Sequence, residues 1–203
     1  MPGQINRESA LGDIIHGLSM DSRYSSYLEI GTWNGEGSTK CFIDGLLQRE
    51  DNWSFYSLET SVAFYNAATS FWGTALEDDR INLLLGRIVD PKEVMTINQI
   101  QEKGKMKPQY TGFLKEDLEN YQQVENVWEK LPPFFDVVLL DGGEFSTLAE
   151  FEKLKDITKI FILDDSNALK TREIRDTLDQ SARWSTLYRN DRDRNGCSAY
   201  EKL

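Results

Sequence analysis

The chain has 203 residues, a length that fits one compact domain, and its 34 acidic and 23 basic side chains give a formal net charge of −11. This acidity argues against a sequence-independent nucleic-acid binder and against docking on anionic lipid, while 39% hydrophobic residues exclude a disordered chain. Two cysteines, Cys41 and Cys197, are too few for a disulfide framework or a thiolate zinc site.

The beginning of the chain predicts a helix over about residues 7–19. His16, the single histidine, is interpreted as a surface or packing residue at the edge of that helix. Serine–histidine, cysteine–histidine and multi-histidine metal chemistry are therefore set aside. The first residues lack a basic-then-apolar signal pattern, and no apolar run approaches the ~20 residues of a membrane span. We expect a soluble, cytoplasmic protein.

Short apolar runs alternate with helical patterns through the rest of the chain. Because these runs are apolar almost throughout, they predict a mostly parallel sheet that helices cover on both faces. At the end of the chain, Arg194-Asn195-Gly196 predicts the turn of an antiparallel hairpin, since Asn-Gly is a strong hairpin signal. The predicted strands span residues 26–30, 53–58, 81–85, 135–140, 159–163, 184–189 and 197–202.

Helices are predicted at 36–47 and 62–76, and again after the fourth and fifth strands. Thr147 and Glu150 predict a capping box for the first of these later helices, and Asn167 an N-cap for the second. Together these elements predict a single domain over residues 1–203.

Residues 87–133 depart from this alternation and are interpreted as an insertion before the fourth strand. Residues 101–112 predict a loop. Insertions at this edge of a sheet commonly carry substrate contacts. One polar-faced helix is predicted from Leu114, Leu118, Tyr121, Val124 and Trp128.

The first motif that indicates chemistry is YLEIGTWNGEGST, residues 27–39, in which a strand leads through a glycine-rich turn into a helix. A Walker phosphate loop needs Gly-Lys-Ser/Thr at its end, and a dinucleotide fingerprint needs a third glycine; this motif has neither. Glu29 and Glu36 would repel a pyrophosphate but suit a cationic ligand. S-adenosylmethionine, which carries an ammonium and a sulfonium, fits that charge pattern.

Glu59 ends the second predicted strand in SFYSLETS. An acid about 20 residues past a glycine turn commonly accepts hydrogen bonds from ribose hydroxyls. The alternative is a surface acid that flanks a helix start. After this glycine turn, the spacing favours the ribose role.

The series E-I-G-T-W-N-G-x-G-S-T, Glu59, FDVVLLDGGEFSTLAEF and IFILDD resembles class I S-adenosylmethionine-dependent methyltransferases. It is most similar to the small O-methyltransferase-like group associated with glycan or natural-product biosynthesis. The resemblance covers roughly residues 26–203 and is weakest over 87–133. It implies an α/β, Rossmann-like three-layer sandwich with a mostly parallel seven-stranded sheet, strand order 3-2-1-4-5-7-6, and a C-terminal antiparallel hairpin.

That resemblance also implies the activity: S-adenosylmethionine-dependent methylation of a hydroxyl on a small polar acceptor, such as a sugar, a glycan precursor or a nucleotide sugar, with a divalent metal as a candidate aid. Two alternatives stay open. One is a nicotinamide-dependent oxidoreductase on the same kind of sheet, against which the missing third glycine argues. The other is a non-catalytic nucleoside-binding module that kept the fold. No oligomeric state is predicted.

Three aspartates follow neighbouring strands: Asp141 ends the fourth, and Asp164 and Asp165 end the fifth. Because the carboxyl ends of parallel strands share one edge, these carboxylates are expected to converge, and such a cluster calls for a cation. All-oxygen ligands favour Mg²⁺, Mn²⁺ or Ca²⁺. Metal-dependent O-methyltransferases are similar at these positions. The alternative is that Asp141 only closes the cofactor pocket while Asp164 or Asp165 caps a helix.

The candidate catalytic residues are Glu144, Lys170 and Asp141. Related metal-dependent enzymes often carry a lysine or histidine three residues beyond the first aspartate, where this chain has Glu144. Glu144 is therefore predicted as a base or a further metal ligand, and Lys170 as a second candidate base.

The resemblance and the motif together place eight residues around the cofactor. Trp33 either packs against the cofactor or covers the edge of the core. In the last hairpin, Arg192, Arg194 and Asn195 either reach a polar substrate or form a solvated turn. The predicted cofactor-binding residues are Glu29, Gly31, Trp33, Asn34, Gly35, Ser38, Glu59 and Asp141.

Overall fold

The computed structural model describes residues 5–103, 106–192 and 195–203. Its centre is one seven-stranded sheet of order 3-2-1-4-5-7-6, which confirms the predicted topology. The first five strands in sequence pair in parallel, and the last two form an antiparallel end against the fifth. The strands are Ser26–Ile30 (β1), Ser54–Glu59 (β2), Ile81–Leu85 (β3), Phe135–Leu140 (β4), Thr158–Asp164 (β5), Trp184–Asn190 (β6) and Cys197–Lys202 (β7).

Helices cover both faces of the sheet and give the predicted three-layer sandwich. Neighbouring strand residues point to opposite faces. Tyr27 packs in one buried cluster with the helices Ala10–Met20 and Ser38–Leu46, and Leu28 packs in the other with the helices Tyr110–Gln123, Thr147–Leu154 and Leu169–Gln180. No helix in the described ranges is both long and apolar enough to cross a membrane. The α-helices are Ala10–Met20 (α1), Ser38–Leu46 (α2), Val62–Trp72 (α3), Ile97–Glu102 (α4), Tyr110–Gln123 (α5), Thr147–Leu154 (α6) and Leu169–Gln180 (α7).

The order of the strands positions the site. β1 lies between β2 and β4, and Ile30 pairs in register with both Leu58 and Leu140. Glu59 and Asp141 come next on their strands, so their side chains emerge at the same edge of the sheet. At this edge the glycine turn of β1 also begins.

Several predicted helix ends are wrong, because local hydrogen bonds decide them. α1 begins later than expected, at Ala10, since the Ser9 side chain accepts a hydrogen bond from the Gly12 N–H. α2 begins at Ser38, after the glycine turn. α3 ends at Trp72, and a 3-10 helix continues to Glu77.

The predicted caps of the last two helices are also wrong. The Thr147 hydroxyl donates to the carbonyl of Gly143, and Glu150 accepts from Tyr121, so these two residues form no capping box. Asn167 lies one residue before the N-cap position of α7, where its side chain accepts from Arg175. Of the predicted hairpin turn, Arg194 lies outside the described residues.

Residues 87–133, interpreted from the sequence as an insertion, contain more helix than expected. α4 is preceded by a capping box of Thr96 and Gln99, whose pattern is present in the sequence. α5 begins at Tyr110, inside the predicted loop, and ends at Gln123. Val124 and Trp128, which were predicted to belong to this helix, therefore lie beyond its end. The loop prediction at residues 104 and 105 lies outside the described residues.

We predict that Gly31→Ala destabilises the fold by roughly 2–4 kcal/mol. Gly31 has a φ of 101°, and a Cβ there would lie 2.5 Å from the carbonyl oxygen of Asp141. Gly17→Ala is the matched control, because its Cβ would meet open space on α1 and should stabilise the helix slightly. Urea unfolding of both variants checks this; equal stabilities would contradict the close approach of the two strands.

Candidate active site

A cleft of about 720 Å³ opens at the carboxyl ends of β1, β2 and β4, and α5 forms its far wall. Six of the predicted site residues line it: Gly31, Trp33, Ser38, Glu59, Asp141 and Asp165. Six others are not among its lining residues: Glu29, Asn34, Gly35, Glu144, Asp164 and Lys170. Two of the second group, Glu29 and Lys170, hold residues of the first.

Glu59 joins the glycine turn to the turn after β2. Its Oε2 accepts from the Trp33 N–H at 2.7 Å, and its Oε1 accepts from the N–H groups of Thr60 at 2.9 Å and Ser61 at 2.8 Å. Burial raises the pKa of Glu59, while these backbone hydrogen bonds oppose the rise. A carboxylate has about four lone-pair sites, so Glu59 retains capacity for a ligand hydroxyl in the cleft.

Glu29 is buried beneath the cleft rather than on its wall. Its carboxylate accepts hydrogen bonds from the hydroxyls of Ser38 at 2.5 Å, Thr39 at 2.7 Å and Ser57 at 2.5 Å. Burial raises its pKa to about 7, against the effect of these three hydroxyls. Glu29 thus fixes Ser38, which does line the cleft.

The rest of the glycine turn is shaped by contacts away from the cleft. Gly35 has a φ of 80°, and its carbonyl accepts from the Trp72 indole N–H at 3.1 Å. Asn34 accepts from the Glu36 N–H through its side chain, at 3.1 Å. Trp33 itself has a φ of 51°, which is rare for a bulky residue and typical of functional sites.

The far wall of the cleft comes from α5, and the sequence analysis missed it. Phe113, Asp117, Asn120 and Tyr121 line the cleft. Asp117 is largely withdrawn from solvent, and burial together with the charges of neighbouring carboxylates raises its pKa to about 6. The available signal was the spacing of Phe113, Asp117, Asn120 and Tyr121 by four, three and one residues, which places them on one helical face.

A second buried carboxylate lies against this wall. Glu150 of α6 accepts from the Tyr121 hydroxyl at 2.8 Å, and burial raises the pKa of Glu150 to about 7. Its other oxygen, Oε2, has no hydrogen-bond partner. Glu150 was predicted to belong to a helix cap, and its place on the cleft wall was not predicted.

The three aspartates after β4 and β5 converge as predicted. Carboxylate oxygens of Asp141, Asp164 and Asp165 lie within 4.8 Å of one another. Asp165 is held with a φ of 52°; it and Trp33 are the non-glycine residues with positive φ in the described part of the chain. The Thr171 hydroxyl donates to the backbone carbonyls of Asp164 and Asp165, which anchors this turn to α7.

A positive charge already lies within this cluster. Lys170 Nζ is 2.6 Å from Asp141 Oδ1 and 3.1 Å from Asp165 Oδ2, with only 8% of the lysine side chain exposed. Burial alone lowers the pKa of Lys170, but the charges of Asp141 and Asp165 outweigh it, and the pKa is raised. A charged ammonium has no lone pair to accept a proton, so this geometry favours a fixed cation over the predicted base.

The arrangement does not fit a divalent ion between the same oxygens. Mg²⁺ lies about 2.1 Å from its oxygen ligands. An ion that bridged Asp141 Oδ1 and Asp165 Oδ2 would compete with the ammonium of Lys170 for the space between these oxygens or lie directly beside that like charge. The remaining oxygen of Asp165, Oδ1, accepts from the Asn195 amide at 3.0 Å. Of the predicted hairpin contacts, Asn195 thus reaches the cluster, whereas Arg192 is exposed.

Glu144 is half-buried and accepts from the Tyr110 hydroxyl at 3.0 Å. It ties the loop after β4 to α5 and is not among the cleft-lining residues. The role of Glu144 as base stays a prediction that this geometry does not favour. Aromatic side chains surround the cleft mouth instead: Trp33, Phe64 and Phe113 line it and are exposed, and the first two rings lie 6.0 Å apart.

Solved structures share this fold across nearly the whole chain. The O-methyltransferase from Bacillus cereus in complex with SAH (S-adenosylhomocysteine) superposes with a TM-score of 0.61 at 17% identity, covering 98% of this chain and 84% of that one. This chain has a methyltransferase fold. No protein-family model matches the sequence, and no curated protein matches it significantly.

Two further methyltransferases share the fold at lower identity. The O-methyltransferase TomG from Streptomyces achromogenes, involved in tomaymycin synthesis and in complex with SAM, has a TM-score of 0.60 at 13% identity, covering 95% of this chain and 79% of that one. SAH-bound PaMTH1 from Podospora anserina has a TM-score of 0.58 at 13% identity, covering 95% and 77%.

We predict that Glu29→Gln removes a pH dependence of stability. A carboxyl whose pKa is about 7 when folded and near 4.5 when unfolded binds its proton more tightly in the folded state. The stabilisation that Glu29 gives to the folded state is therefore fully present at low pH and is lost as the pH rises through 7. Between about pH 5 and pH 8, the wild type should lose roughly 2 kcal/mol relative to the variant. Urea unfolding at both pH values measures the difference; a constant difference would refute the raised pKa.

Proposed function

We propose that the protein transfers a methyl group from S-adenosylmethionine to a hydroxyl oxygen of a small acceptor. The observation that carries this proposal is the position of Glu59, fixed by three backbone N–H groups on the wall of the cleft beside the glycine turn. A carboxylate in that place suits the two hydroxyls of a ribose. The charge of the cleft wall also supports this proposal, because carboxylates dominate its polar residues and favour a positively charged sulfonium.

The cofactor would lie across the carboxyl ends of β1 and β2. Gly31 and Ser38 are on the cleft wall at the glycine turn and would contact the methionine part. Glu29 would act from below by fixing Ser38. Asn34 and Gly35 would contribute by setting the shape of the turn.

Asp141 would receive the proton of the acceptor. It lies on the cleft wall, and Lys170 holds its Oδ1, which leaves Oδ2 to accept a hydrogen bond from the acceptor hydroxyl. S-adenosylmethionine supplies a methyl group on a sulfonium; the acceptor oxygen bonds to that carbon as the carbon–sulfur bond breaks, and the acceptor proton passes to Asp141. Positioning of the two reactants in line supplies much of the rate enhancement.

The acceptor would bind at the aromatic mouth of the cleft. Trp33, Phe64 and Phe113 offer flat apolar faces there. The C–H face of a sugar stacks on such rings, so a sugar or nucleotide sugar remains the proposed class. TomG, which shares the fold, is involved in tomaymycin synthesis, and an aromatic acceptor would stack on the same rings. A panel of both kinds of acceptor separates them.

We predict that calorimetry detects binding of S-adenosylhomocysteine to the wild type, and that Glu59→Gln weakens it about tenfold or more. Loss of a charge-assisted hydrogen bond costs about 1.5–3 kcal/mol. Glu36→Gln is the control, because Glu36 belongs to the same turn but is not on the cleft wall. Binding of NADH in place of S-adenosylhomocysteine would favour an oxidoreductase, and unchanged binding by Glu59→Gln would contradict the ribose role.

We further predict that Asp141→Asn lowers the turnover number about a hundredfold or more, because general-base assistance is typically worth that much. Transfer of radiolabelled methyl to sugars, nucleotide sugars and hydroxylated aromatics is the measurement. Asp136→Asn serves as the control, since Asp136 binds Ser25 at the opposite end of β4. Full activity of Asp141→Asn would exclude it as the proton acceptor. Binding of S-adenosylhomocysteine without transfer to any acceptor would indicate the non-catalytic module.

A further inference from the structure

Lys170 is the buried cation of the acidic cluster, and its position is set from two sides. It lies in the first turn of α7, which the Thr171 hydroxyl ties to the backbone carbonyls of Asp164 and Asp165. From there its Nζ bridges Asp141 and Asp165, the two carboxylates that belong to different strand ends. The ammonium thus holds β4 and the turn after β5 together at the floor of the cleft.

Charge balance explains why a cation is required there. Three carboxylates within 4.8 Å of one another repel strongly in a partly buried site. A divalent ion relieves this repulsion by binding the oxygens directly. Lys170 relieves it with one positive charge that is part of the chain, so the charge is present without any bound ion.

We propose that the ammonium of Lys170 takes the place of a divalent metal ion in this site, and that methyl transfer by this chain needs no metal. The inference rests on the proposed methyl transfer for its functional part, whereas the occupancy of the site by Lys170 is independent of it. Lys170 is then a positioning residue. It orients Asp141 toward the acceptor, and the carboxylate, not a metal ion, meets the acceptor hydroxyl.

An ammonium in place of a metal ion changes which acceptors the site can use. A metal ion selects acceptors that offer two adjacent oxygens, because both can bind the same ion. An ammonium donates at most three hydrogen bonds, and Asp141 and Asp165 already take two. The site therefore requires only one acceptor hydroxyl, and acceptors with an isolated hydroxyl should be methylated as readily as those with a vicinal pair.

The test measures the binding of Mn²⁺ to the metal-stripped protein. Electron paramagnetic resonance reports the concentration of free ion, from which the bound fraction is obtained. Wild type and Lys170→Arg should bind no Mn²⁺ at this site, because both keep the positive charge. Lys170→Ala should gain affinity for Mn²⁺ by more than about tenfold, since the substitution removes a positive charge that repels the ion at close range. Asp165→Asn in the Lys170→Ala background should abolish the gain.

Lys170→Met provides a second neutral variant that keeps the apolar stem, in case Lys170→Ala does not fold; thermal melting reports folding. Stoichiometric Mn²⁺ binding by the wild type that Asp165→Asn removes would overturn the inference. A folded neutral variant that gains no Mn²⁺ affinity would also overturn it. These readouts require no methyl transfer, so a failure of the proposed function would appear separately, as absence of S-adenosylhomocysteine binding.

Measurements of methyl transfer test the functional part of the proposal. Wild-type transfer should be unaffected by EDTA, whereas transfer by Lys170→Ala should be low and should rise when Mn²⁺ is added. A general loss of packing would not respond to the ion, so this rescue separates positioning from mere structural support. Inhibition of the wild type by EDTA with recovery on Mn²⁺ would overturn the proposal.

Discussion

The sheet brings carboxylates together at one edge, and each must be stabilised without bulk water. This structure does so by different means. Glu29 is held by three hydroxyls, Glu59 by three backbone N–H groups, and Asp141 by the ammonium of Lys170. For Asp117, burial and the charges of neighbouring carboxylates raise the pKa to about 6. The arrangement of the cleft follows from this need for compensation, since each partner also fixes a loop that forms its wall.

The contacts that compensate charge in the cleft therefore also connect the loops that form it. Lys170 connects the end of β4 to the turn after β5, and Glu59 connects the glycine turn to the turn after β2. Two strained residues, Trp33 and Asp165, lie at these connections. Backbone strain of this kind persists only where the surroundings over-determine it. The cleft is thus built as a rigid frame whose polar wall is negative, which suits a cationic methyl donor.

The strands could be predicted closely from apolar runs such as residues 135–140, whereas their order was implied by the resemblance to methyltransferases. The convergence of Asp141, Asp164 and Asp165 followed from that order. The wall that α5 forms could not be predicted in this way, since Asp117 lies within residues 87–133, whose packing no local pattern reveals. Lys170 was noticed as a titratable group, but a base and a fixed cation look alike in a sequence. Only the distances to two carboxylates distinguish them.

A crystal structure with S-adenosylhomocysteine tests the central claim most directly, because it locates the cofactor and the cation together. The account predicts ribose hydroxyls on the carboxylate of Glu59, with Lys170 Nζ between Asp141 and Asp165 in crystals grown with Mn²⁺. Absence of anomalous signal from manganese at that position would accompany this result. Cofactor bound outside the cleft, or a manganese peak in place of the ammonium, would contradict it.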